Sequence, residues 1–143
     1  MGRSTISQEP NPMAKIKYVL GEVAPSVELS LLATSLLIDS VVAKRIRATK
    51  TFYVGNIALV QKETLKLHGI KTIVPPSDKT FMLKFLTAKA SQSGIVIVFD
   101  AWSELLERYD EAEQIQLRLL CRMCCDQGGA VIWLEHQQSM AAA

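Results

Sequence analysis

Glycine and proline are scarce in this sequence, 7 and 5 of 143 residues, and aromatic residues make up only 6%. With 49% hydrophobic residues, that scarcity excludes a disordered, low-complexity or collagen-like chain. An excess of one charge is also missing. The 16 Lys+Arg nearly balance the 14 Asp+Glu, a net +2, which argues against a strongly basic nucleic-acid-binding domain and against a polyacidic tail. Cysteine is limited to Cys121, Cys124 and Cys125. An odd, clustered set makes a poor disulfide framework, so a reduced compartment, the cytoplasm or a nucleus, is expected. The first dozen residues lack the apolar core of a secretion signal. The greasiest run, residues 27–43, contains Glu28 and Asp39, each costing about 2.5–3.5 kcal/mol near a bilayer centre, so it reads as a buried helix with no membrane partner. A chain of this length buries roughly 68% of its unfolded surface and needs no staple to fold.

What is present is a rhythm. Pro10 and Pro12 mark residues 1–13 as a flexible arm, residues 14–137 form one domain, and residues 138–143 are a tail. Residues 16–20 (IKYVL), 51–54 (TFYV) and 71–74 (KTIV) are short, β-branched runs stopped by Gly21, by Gly55-Asn56 and by Pro75-Pro76, and read as strands. Residues 95–99 (IVIVF) are continuously apolar, the mark of a strand covered on both faces, and residues 130–134 supply a fifth. Between them the spacing predicts helices. One runs from Ser26 to about residue 47 and is apolar nearly all round, so it should be covered on more than one side. Others span residues 57–68, a stretch from Ser77 or Asp78 to near Gly94, and residues 103–126, where Leu117, Leu120, Cys121 and Cys124 fall at i, i+3, i+4, i+7. Strands alternating with helices imply an α/β fold: a three-layer, doubly wound, mainly parallel sheet of about five strands.

In such sheets ligands bind beyond the carboxyl ends of the strands, which directs attention to residues 21–26, to Gly55-Asn56, to Asp100-Ala101-Trp102-Ser103 and to Glu135-His136. The order of elements over residues 15–136, with "YVGN", "IALVQKETLKLHGI", "KTIVPP" and the Walker-B-like "IVIVFDAWSELL", resembles the RecA/KaiC-type branch of P-loop ATPases. The resemblance implies a truncated RecA-like core in which Asp100 would help hold magnesium through water. The phosphate loop departs from the family. It needs glycines, a lysine and a Ser/Thr, as in GxxxxGK[ST]. The matching "GEVAPSVELS" offers Gly21 and Ser26, no lysine occurs between Lys17 and Lys44, and Pro25 removes a backbone donor. Glu22 and Glu28 bring negative charge where a triphosphate would sit. Asn56 stands where the family places a catalytic glutamate, and an amide cannot polarise water as a carboxylate does. The expectation is an ATPase-like fold without nucleotide chemistry: no enzyme, no cofactor and no metal, with Gly21, Ser26 and Asp100 a vestigial nucleotide site.

Simpler roles are weighed beside these. The cysteines lie inside a predicted helix with no second CxxC, so they read as core hydrophobes. Asp100 reads as a cap for the following helix ahead of a magnesium ligand, and His136 lacks a partner at motif spacing. Leu32, Leu36, Trp102 and Tyr109 are expected to face a protein partner or a second copy. Family members without ATPase motifs serve as structural subunits, so the first reading is a non-catalytic protein acting by association, in recombination, repair or a related assembly. The alternatives are a nucleotide-binding protein with an unorthodox site, and a nucleic-acid accessory factor using Lys44, Arg45, Arg47 and Lys50. Four cations in seven residues make a local excess that a helix C-terminus also favours.

Overall fold

The computed structural model describes residues 26–134. The expected strand at residues 16–20, the arm, the tail, Gly21 and His136 lie outside them. Four strands are described: β1 (Thr51–Val54), β2 (Lys71–Ile73), β3 (Val96–Asp100) and β4 (Ala130–Leu134). They form one sheet in the order β2-β1-β3-β4, and every pairing is parallel. The register sets Val54 beside Phe99 and Asp100 beside Leu134. Five helices connect the strands: α1 (Ser26–Val42), α2 (Leu59–Leu67), α3 (Lys79–Ala90), α4 (Trp102–Leu106) and α5 (Glu111–Asp126).

The strand period of two divides the core. Tyr53, Val96, Val98 and Ile132 point to one face, where Ala33 and Leu37 of α1 and Leu65 of α2 cover them. Phe52, Ile97, Phe99 and Val131 point to the other, against Leu86 of α3, Trp102 and Leu105 of α4, and Leu117 and Cys121 of α5. The chain is therefore an α/β protein with helices on both faces of a parallel sheet. Among the described residues no helix is long and apolar enough to cross a membrane.

Four expectations are corrected. α1 ends at Val42, short of residue 47. There Lys44 takes a left-handed conformation (φ 60°), the amides of Arg45 and Ile46 turn back to the Ser40 carbonyl, and Ile46 drops into the core. Only part of α1 is covered by described residues: Ala33 and Leu37 are wholly buried, whereas Leu31, Leu32 and Val42 stay exposed. The predicted helix 103–126 is two helices. Asp110 accepts from the Glu113 amide (2.8 Å) while the Glu113 carboxylate accepts from the Asp110 amide (3.0 Å), a capping box that starts α5 afresh. The break lets Tyr109 fold inward and donate its hydroxyl to the Lys79 carbonyl (2.9 Å). Trp102 and Tyr109 are consequently buried, at 3% and 6% exposure, and offer no surface to a partner. Trp102 lies against Phe99 and stacks on Trp133, its centroid 5.0 Å away at 13°.

Candidate functional site at the carboxyl edge of the sheet

From β1 the chain turns to β2 on one side and then crosses to β3 on the other, so the crevice of a doubly wound sheet falls between the carboxyl ends of β1 and β3. A cleft of about 660 Å3 lies at that edge, lined by Gly55 and Asn56 after β1, Val74 and Pro75 after β2, and Asp100 and Ala101 at the end of β3. Ser30, Gln61, Glu104 and Arg108 add polar groups. Gly55 permits the close approach of the two strand ends, because a Cβ there would stand 2.5 Å from the Asp100 Cβ.

Asp100 is the centre of this edge. Its Oδ2 accepts hydrogen bonds from the Ser30 hydroxyl at 2.7 Å and from the Tyr53 hydroxyl at 2.8 Å. Tyr53 is fully buried. Burial first, and the neighbouring Asp100 charge second, push its phenol well above the ordinary tyrosine range, with the Ser30 hydroxyl acting the other way. Tyr53 therefore stays protonated and remains a donor. The polar chain continues behind the carboxylate: Thr34 donates to the Ser30 carbonyl (2.8 Å), and the Gln61 amide donates to the Thr34 hydroxyl (3.3 Å). Side chains from α1, α2 and β1 thus converge toward the last residue of β3 through hydrogen bonds, as burial of polar groups requires.

The N-cap position before α4 falls to Ala101, not to Asp100. α4 begins after Ala101, which adopts a left-handed conformation (φ 63°) with no side-chain cap. Alternation along β3 explains why: Asp100 shares a face with Val96 and Val98, toward α1 and α2, while α4 packs on the opposite face with Phe99. Ser30, Tyr53 and Gln61 were absent from the sequence-based site, although Tyr53 sits one residue before the end of β1 and two before Gly55.

Comparison with protein-family models, with curated proteins and with solved structures finds no match. Geometry and sequence therefore carry the functional reading. Ser26 opens α1 at the same edge as Asp100, but Gly21 lies outside the described residues. The described residues lining the cleft include no lysine, histidine or cysteine, and Arg108, donating to the Pro76 carbonyl at 2.8 Å, is the single cation among them. Among the described residues no group of three or more His, Cys, Asp or Glu side chains is gathered as a metal site. Cys121 and Cys124 are buried in the α5 core stripe, and burial followed by the neighbouring Cys125 pushes the Cys124 thiol up to about 11. Lys44, Arg45 and Arg47 are exposed and, with Lys50, lie before β1, at the end of the sheet opposite Asp100. Leu32 is exposed and Leu36 half-buried.

Proposed function

We propose that this chain is a non-catalytic protein of the RecA-like class that works by associating with protein, as a homodimer or as a subunit beside a true ATPase, in recombination, repair or a related assembly. One observation carries the reading: the acidic residue at the Walker-B-like position accepts hydrogen bonds from Ser30 and Tyr53 in a cleft whose described lining residues include no lysine. A carboxylate engaged by two neutral hydroxyls acts as a cross-tie between helix and sheet. The acidic, proline-containing "GEVAPSVELS" supports the same reading, since it supplies neither the lysine nor the glycines that hold a triphosphate.

Support for association comes from α5. Its inner stripe is core, but Ile115, Leu119 and Met123 form a second stripe at four-residue spacing, 55%, 56% and 48% exposed. Ile115 and Leu119 border a groove of about 520 Å3 lined also by Arg118, Arg122, Val131 and Trp133. The Trp133 indole N–H beside this groove is buried without a hydrogen-bond acceptor among the described residues. Calorimetric titration of the chain with ATP and magnesium tests the first half of the reading. No saturable heat is expected, and micromolar affinity would overturn it in favour of a nucleotide-binding protein.

A further inference from the structure

The near-zero net charge conceals a separation of charge along the strands. Every strand of the described sheet runs the same way, so segments that precede strands gather at one edge and segments that follow them gather at the other. Lys44, Arg45, Arg47 and Lys50 lie in the connection entering β1, Lys71 opens β2, and Lys89 lies in the last turn of α3, before β3. Glu104, Glu107, Asp110 and Glu111 follow β3 and lie at the far edge with Asp100. A strand of five residues spans roughly 17 Å. That exceeds the Debye length of about 10 Å at 0.1 M salt, so the acidic edge does not neutralise the basic one. The overall balance of charges is thus the wrong quantity for judging what this molecule attracts.

The cations at the amino edge are also tied together. The Lys50 ammonium donates to the Ser93 carbonyl at 2.8 Å, joining the connection before β1 to the connection before β3. Lys71 and Lys89 stand over the same Phe52 ring, at 5.9 Å and 4.6 Å from its centroid. None of the six cations forms an ion pair with another described residue. The three connections that carry them, residues 43–50, 68–71 and 88–95, contain no acidic residue, and the acids that the topology brings to this edge are Asp39, in the last turn of α1, and Asp126, at the end of α5. A protein partner would have to meet this array with a matching set of acids, whereas a phosphodiester chain presents a continuous line of anions to it.

We propose that the amino edge of the sheet, through Lys44, Arg45, Arg47, Lys50, Lys71 and Lys89, is a docking face for the phosphate backbone of nucleic acid. The site is separate from the Asp100 cleft and does not depend on whether that cleft takes a nucleotide. The described aromatic side chains are buried or half-buried, so the face offers no stacking platform, and binding is governed by backbone charge and indifferent to base sequence.

Fluorescence anisotropy of a labelled mixed-sequence DNA duplex with the full chain, across a salt series, tests this. Affinity is expected to fall linearly on logarithmic axes, with a slope no steeper than about −5 for six phosphate contacts. Replacing both arginines (Arg45→Gln with Arg47→Gln) is expected to flatten the slope by about 2, and Lys71→Gln alone, from a different connection, by about 1. Lys84→Gln, midway along α3 and outside the face, should leave it unchanged. Absence of binding at low salt, or identical slopes in all three variants, overturns the proposal. So does a salt-sensitive self-association that the arginine variant abolishes while DNA is not bound, since that assigns the face to the acidic edge of a second copy. Circular dichroism of each variant separates lost binding from lost folding.

Discussion

Asp100, Ser30 and Tyr53 show how little of a site resides in any one residue. The aspartate ends a strand and is flanked by Phe99, buried, and Ala101, left-handed; its meaning comes from two hydroxyls that reach it from α1 and β1. Removing one of them leaves a partly buried carboxylate short of a donor, which costs about 1–3 kcal/mol. Tyr53→Phe is therefore expected to lower the unfolding free energy by that amount, read as a lower urea midpoint with little change in the m-value, because the ring still fills its place in the core. The buried acids also predict alkaline behaviour. The folded Cys124 thiol ionises near 11 and the unfolded one near 9, so its contribution to stability is complete below pH 9 and is lost as pH rises through 11. The raised Tyr53 phenol has the same sign and begins to count above its ordinary value of 10. Denaturant unfolding from pH 8 to 11 should show stability falling with pH, and less steeply in Tyr53→Phe.

At the scale of elements, termini decide more than propensity does. Residues 103–126 carry a helical pattern throughout, yet the chain breaks at Asp110 because the capping box with Glu113 satisfies the first amides of a new helix. Asp110→Ala is expected to cost about 0.5–2 kcal/mol, read by thermal or urea unfolding. This boundary was legible: an aspartate followed three residues later by a glutamate is the signature of such a start, overlooked because the apolar spacing continues across it. The end of α1 was not legible. No glycine or asparagine marks it, and the turn at Lys44 forms because Ile46 gains a place in the core beneath the sheet. The same holds for Trp102 and Tyr109. Their polar neighbours make them look exposed, but α4 is short enough to roll both rings against Phe99, Trp133 and the start of α3.

For the molecule as a whole, the surface divides into regions with different physics. One is the apolar stripe of α5, about half exposed and bordered by the Trp133 indole, whose N–H has no acceptor among the described residues. Introducing charge there, with Ile115→Glu and Leu119→Glu together, is expected to change unfolding stability by no more than about 0.5 kcal/mol, as exposed substitutions do. It should nonetheless abolish self-association seen by light scattering, or co-elution with a partner. An unchanged association state in that variant would place the contact elsewhere. The other region is the basic amino edge, whose strength depends on salt where that of the α5 stripe does not. Titrating salt against association therefore distinguishes the two surfaces in one preparation.

Alternating periods of 2 and 3.6 are properties of neighbouring residues, and they were enough to establish the alternation of strands and helices and the parallel sheet. Partner choice is a property of distant residues. Ser30 and Asp100 are 70 positions apart, Tyr53 and Asp100 47, and whether these groups meet depends on strand order and on which face of β3 lies toward α1. The cations illustrate the same division: a four-residue cluster could be counted along the chain, but its union with Lys71 and Lys89, and its separation from Asp100 and the acids of residues 104–111, arose only when parallel strands sorted their connections to opposite edges.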